Sequence, residues 1–411
     1  MTQTKHYKMK KIVVSAALLI GGVSVQAQCG SVDKGMRSIL TNKISEAEES
    51  FTAAGNEIKE AESKDQPMEA KCYAKYYYGS GHVALQNYLN NEPKDLVSKV
   101  AMLDKAEGYF AEFFTLAYED KSFKARAITD LESVANQQKN VAVDYFNEGD
   151  FETALRLLEK AIQNKAKLGV NHLDLHAYQS ASITANRLGE YQKAIQYNDV
   201  LIKNPQLKIN NKVNDQEFNL VKKAEYLNNA GEVEKALAVL DSAQTVFPNS
   251  ISVKKKKLQI FTETNDDDSA LTLLEDLTQT IKDDVKYFVI MGRIYNNKGF
   301  SQKSYDAYKT ALSLDPKNKY AVFGMGAYYV NKSNEYVSSL NGVGNSASDQ
   351  AAKAQTVEEQ HKNFDKAIYY FNQYLELEPG DRGALNALKK IYKAKGDDAK
   401  VEEINKQLIG E

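Results

Sequence analysis

From about residue 30 onward, apolar positions recur three and four apart and charged or amide residues fill the spaces between. Ala142 and Tyr145 precede Gly149, and Ala154, Leu158 and Ala161 follow it. This period predicts helices that each bury one face, joined by short turns. Prolines are few, six in 411 residues, and Pro248, Pro316 and Pro379 each follow an apolar run, where a helix is expected to stop. The one stretch that reads like a strand, Lys286 to Ile290, falls inside a helical pattern and is expected to be helix.

The helical pattern itself repeats every 34 residues from Glu217 to Asn318. Ala224, Gly231, Ala236, Ala243 and Pro248 occupy positions 8, 15, 20, 27 and 32 of one unit, 217–250. Gly292, Gly299, Ser304, Ala311 and Pro316 occupy the same positions in 285–318, with Tyr295 and Tyr308 beside them. The unit between keeps Leu258, Phe261, Ala270, Leu274 and Leu277. This spacing resembles the tetratricopeptide repeat, a pair of antiparallel helices stacked into a solenoid. Small residues at 8, 20 and 27 let helices approach closely, glycine at 15 ends the first helix in a left-handed conformation, and proline at 32 stops the second. The customary tryptophan at position 4 is missing, because the chain has none.

The register extends outward through 135–174 and 175–216, then through a unit from Lys319 that is interrupted by an insertion at 334–362. A last unit from Arg382 ends in a polar helix suited to cap the stack. Before it, 28–134 is expected to hold divergent repeats: Ala47, Phe51 and Ala54, then Ala106, Phe110 and Phe113, mimic positions 20, 24 and 27. The expected fold is all-α, a solenoid of such helix pairs. Its layout is a leader at 1–27, divergent repeats at 28–134, and a regular array at 135–411 with the insertion and a capping helix.

The leader has a basic start (Lys8, Lys10, Lys11), an apolar stretch from Ile12 to Val25, and small residues before a cleavage point after Ala27. About 14 apolar residues are too few to span a bilayer. Export to the periplasm or the outer membrane of a Gram-negative bacterium is therefore expected, with no transmembrane segment in the mature chain and any membrane association made through a partner. Gln26 and Gln28 at −3 and −1 argue against lipidation of Cys29. Cys29 and Cys72 are the only cysteines, and an oxidising compartment permits their disulfide, although an idle or buried thiol fits equally. The leader holds four lysines and no acid, so its removal takes the formal charge from −2 to about −6. Such a surface argues against nucleic acid, which favours a basic stripe. The basic run Lys254 to Lys257 and the acidic run Asp266 to Asp268 read as solvated faces of one helix pair.

No phosphate loop, nucleophile elbow or HExxH motif is present, and no cofactor is expected. His172 and His176 lack a third ligand nearby, and the acidic runs lack the spacing of a calcium loop. In the repeat family, first helices line the concave groove. The inward positions implied by that resemblance include Asn147, Gln179, Asn186, Arg187, Asn228, Asn229, Arg293, Asn296, Asn297, Tyr320, Phe323 and Asn331, together with His176 and Phe218. An array of amides is able to grip an extended peptide backbone, but asparagine at these positions also caps helices. Lys139 and Lys255 stand where the carboxylate-clamping members carry lysine, yet Val143 and Gln259 replace the asparagine that goes with it.

The expected function is a non-catalytic scaffold of the cell envelope that binds protein or peptide partners. Two alternatives are a structural subunit of an envelope secretion or assembly complex, and a helical metal-dependent hydrolase using His172 and His176. The insertion at 334–362 is either a projecting helix hairpin that selects partners or a tolerated loop.

Overall fold

The computed structural model describes residues 29–116, 118–169, 172–209, 212–339, 344 and 346–409. The expected leader and cleavage point, and residues 340–343 and 345 of the insertion, lie outside them. Among the described residues the chain forms 18 α-helices that follow one another as pairs. These are α1 (Gly30–Leu40) and α2 (Ile44–Ser63), α3 (Ala70–Asn90) and α4 (Leu96–Thr115), α5 (Lys121–Glu148) and α6 (Phe151–Lys167), α7 (Leu175–Arg187) and α8 (Tyr191–Lys203). They continue as α9 (Gln216–Asn229) and α10 (Val233–Val246), α11 (Ile251–Glu263) and α12 (Asp267–Thr280), α13 (Val285–Asn297) and α14 (Ser301–Leu314), α15 (Lys319–Ser339) and α16 (Ala347–Leu377), α17 (Arg382–Lys395) and α18 (Asp398–Ile409).

The turn chemistry follows the register. Gly149, Gly189, Gly231, Gly299 and Gly396 all have φ between +73° and +86° and end a first helix. The degenerate unit has Asn265 at the same position, with φ +57°. Asparagine is the residue that best tolerates this conformation after glycine, so the turn survives the loss of the motif. Pro248, Pro316 and Pro379 lie just beyond the ends of α10, α14 and α16. Asp266 caps α12 by accepting from the Ser269 N–H at 3.2 Å, and Asp284 caps α13 by accepting from the Lys286 N–H at 3.1 Å. The acidic runs are therefore helix starts.

The chain divides into two compact units, one comprising residues up to Tyr197 with Lys208–Lys212, the other Asn198–Leu207 with Val213–Glu411. In the first, α5 runs unbroken across residue 134, so no break marks where the regular register begins. Ala47, Phe51, Ala54, Ala106, Phe110 and Phe113 are all buried. Phe51 of α2 is seated between two glycines, Gly35 of α1 and Gly79 of α3; a Cβ at either would overlap its ring. Phe110 of α4 sits in the same way on Gly81, at 2.9 Å from where a Cβ would be. A disulfide joins Cys29, just before α1, to Cys72 near the start of α3, with the Cα atoms 5.6 Å apart. It decides the alternative that the sequence leaves open.

In the second unit the same ring-on-glycine packing recurs. Tyr308 of α14 lies between Gly292 of α13 and Gly324 of α15, and Phe371 of α16 lies on Gly326. Glycine inside a helix costs about 1 kcal/mol relative to alanine, and here it is offset by the close approach of an aromatic ring.

Two expectations need correction. Lys254, Lys256 and Lys257 are not solvated: their side chains are 17, 15 and 13% exposed and tie α11 to its neighbours. They pair with Asp276 of α12 at 2.6 Å, Glu225 of α9 at 3.2 Å and Asp241 of α10 at 2.6 Å, while Lys255 lies 5.9 Å from the Tyr287 ring centroid. A lysine run on a first helix can reach partners on every side because consecutive residues turn by 100°. Second, the segment between α8 and α9 carries a minimal two-stranded ladder, β1 (Lys208–Ile209) with β2 (Lys212–Val213), where only helix and loop were expected. Lys286 to Ile290 is helical as expected.

Candidate functional site

The anticipated inward residues fall on first helices in both units. In the first unit Asn147 is exposed at the end of α5; on α7, Gln179 and Asn186 are half-buried, Arg187 is exposed and His176 is half-buried. In the second unit Asn228 and Asn229 end α9, and Arg293, Asn296 and Asn297 lie on the last turns of α13. Tyr320, Phe323 and Asn331 lie on α15.

Three of the anticipated amides, Asn331, Asn296 and Asn228, bond across neighbouring repeats. Asn331 donates to Asn296 Oδ1 at 3.0 Å, and Asn228 donates to Glu263 at 2.8 Å; each pair is 35 residues apart, about one repeat. Such rungs set how adjacent first helices line up and engage part of each amide's bonding capacity. Similar rungs link Glu217 to Ser250 and Tyr197 to Glu159. The two lysines at the clamp position are engaged as well, Lys139 with Asp174 at 2.8 Å and Lys255 near the Tyr287 ring.

One open place lies between α15 and α17. Phe323, Ala327 and Val330 of α15 face Ala387 and Ile391 of α17 across a groove of about 390 Å³, floored by Phe364 and Phe371 of α16. Phe323 meets Phe371 edge-on at 5.4 Å and Tyr374 at 5.0 Å, which fixes its ring as a wall. Gly383, Ala387 and Ala394 line the α17 side, and their small size leaves the space. The rim is polar: Asn331, Asn334, Asn386 and Lys390. Asn386 uses its amide N–H on the Arg382 carbonyl at 2.6 Å, and Lys390 has no ion-pair partner among the described residues. The groove thus joins two anticipated residues, Phe323 and Asn331, to residues of α17 that were not anticipated. The small-residue spacing 383, 387, 394 was the available signal. Tyr320, 64% exposed with the Lys319 ammonium 5.4 Å from its ring centroid, is not part of it.

The insertion lengthens this same pair. α15 has 21 residues and α16 has 31, against 13 or 14 for α9 to α14, so the described part of 334–362 is a continuation of two helices. A capping box of Ser346 and Asp349 starts α16.

The histidines serve elsewhere. His172 lies 3.6 Å from Glu132, and the His176 Nδ1 is buried with no hydrogen-bond partner. Burial, aided by Lys139, pushes the His176 imidazole below its ordinary value. Asp174 is held low: burial works against this, but its bond to Lys139 and the charges of Lys139 and Lys165 outweigh it. Among the described residues no three His, Cys, Asp or Glu side chains converge as a metal site would require. No described helix is long and apolar enough to cross a membrane.

No family model and no curated protein matches the chain. Among solved structures it is similar to a TPR repeats protein, BF2334, from Bacteroides fragilis, at 16% identity over 63% of this chain and 98% of that one, with a TM-score of 0.26. It is also similar to MamA from Desulfovibrio magneticus, at 19% identity over 51% of this chain and 97% of that one, TM-score 0.36. A third is the TPR domain of P58(IPK), at 14% identity over 90% and 98%, TM-score 0.28. At these scores the architecture rests on the chain's own turns and helix pairs, which are of the tetratricopeptide type.

Proposed function

We propose that this protein is an exported, non-catalytic scaffold that holds a segment of a partner protein in the groove between α15 and α17. The observation that carries the reading is an apolar groove, bounded by a polar rim and one unpaired lysine, on consecutive first helices of a repeat array. Pockets of a few hundred Å³ with apolar walls and a few fixed polar groups are the usual form of a binding site. Export is supported by the leader pattern and by the Cys29–Cys72 bridge, since structural disulfides persist in oxidising compartments. The same bridge occupies the sulfur that a lipid would need.

The test is photo-crosslinking in intact cells from a reactive residue placed at Asn386 or Lys390, followed by mass spectrometry. One or a few envelope proteins captured there, and lost in Ala387→Trp, support the reading. An equal catch from a probe at Asp241, outside the groove, sinks it. Mass analysis of the purified mature chain checks the start after Ala27, and recovery of an intact leader refutes export through it.

A further inference from the structure

The first unit has a second recess, chemically unlike the groove. Its walls are α2 and α4, its floor is α3, and its volume is about 200 Å³. Drug-sized ligands take pockets of ~300 Å³ upward, so this one admits a single small ring.

The floor is polar by construction. Gly55 lies in the middle of α2, where glycine is unfavourable, and a Cβ there would stand 2.6 Å from the Tyr76 hydroxyl. The glycine lets that hydroxyl reach the recess. The Tyr76 and Tyr109 rings meet edge-on at 6.1 Å. Burial, with Tyr109 beside it, pushes the Tyr76 phenol up to about 12, so it remains a hydrogen-bond donor at any ordinary pH. One turn on, Ser80 is 7% exposed, and its Oγ is buried with the Tyr76 hydroxyl as its polar neighbour.

The walls carry cations. Lys59 and Asn56 on α2 have no side-chain partner among the described residues. Lys105 on α4 has only a 4.0 Å contact to Glu48, whose carboxylate already accepts from Asn87 at 2.9 Å. Two ammonium groups, one from each wall, thus face the recess against a single engaged acid, in a chain whose net charge is negative.

We propose that this recess binds a small hydroxylated carboxylate of single-ring size, a sugar acid. Its carboxylate faces Lys59 and Lys105, and its hydroxyls bond to Asn56 and Tyr76. The site is independent of the partner groove, and each stands if the other fails.

The experiment is calorimetric titration and saturation-transfer NMR of the full chain with glucuronate as probe and glucose as neutral control. Glucuronate is expected to bind at least about tenfold tighter than glucose. The double variant Lys59→Ala, Lys105→Ala, both exposed positions, is expected to lose that advantage with unchanged circular dichroism, while Lys390→Ala retains it. No binding of glucuronate at millimolar concentration overturns the proposal. So does equal binding of glucose, or full retention by the double variant.

Discussion

Helices α1 to α4 and α13 to α16 use one packing device in different settings. In both, a ring at the middle of a second helix rests on glycines of the first helices around it: Phe51 on Gly35 and Gly79, Tyr308 on Gly292 and Gly324. In both, a G-x-G on a first helix, 79–81 or 324–326, receives one ring from the preceding pair and one from its own. The irregular N-terminal region thus shares this ring-on-glycine packing with the regular array, although it departs from the 34-residue register. The settings differ. At α13 to α16 a left-handed glycine and a proline set the turns, whereas α1 and α2 turn at Asn42 with φ +56°, and a disulfide fastens the start.

The comparison breaks most sharply at the disulfide. Cys72→Ser opens a closure spanning 43 residues of sequence and is expected to cost the first unit about 4 kcal/mol, leaving the second unit unchanged. Hydrogen exchange resolved by segment reads this; equal loss of protection in α1 to α3 and α13 to α16 contradicts it.

Gly79→Ala and Gly324→Ala come next. Each forces a methyl into a seated ring, and the expected loss is ~1–3 kcal/mol in either region, despite the better helix propensity of alanine. Urea denaturation of the pair tests whether the device is the same; a cost at one site and a gain at the other says that it is not.

Acid sharpens the contrast further, through Asp174 and His176 on the α5–α7 side of the first unit. Both have folded-state pKa values below their unfolded ones, so both stabilise the fold above the unfolded pKa and lose that contribution as pH falls through the folded one. The His176 contribution begins to go below about pH 6.5 and that of Asp174 below about pH 4. Asp174→Asn is expected to remove the lower part of this acid dependence in the first unit; a profile identical to that of the unaltered chain counts against it.

The smallest effect on stability belongs to Lys390→Glu, within about 0.5 kcal/mol because the side chain is exposed and unpaired. The same variant is expected to weaken capture of the partner segment in the groove. A large loss of melting temperature shows instead that Lys390 is structural.

Much of the array was legible because its constraints are local. Left-handed turns at Gly231 and Gly299, and small residues at Ala224, Ala236 and Ala243, act within one helix pair and recur at fixed spacing. The candidate groove was half legible. Phe323 and Asn331 follow from the register, but Ala387 and Lys390 matter only because the pairing of α15 with α17 leaves space between them. The amide array misled because Asn296 and Asn331 are one repeat apart in sequence and bonded in space. The Lys254 to Lys257 run misled for the same reason: its partners lie on three other helices.

The sequence by itself determined helix, turn and period, since these depend on backbone conformation and on which face of a short segment is apolar. Tertiary structure decided which polar groups satisfy one another, which rings settle on which glycines, and where space is left over. Those outcomes depend on side chains far apart in the chain meeting at distances of a few ångströms, and no local pattern encodes that.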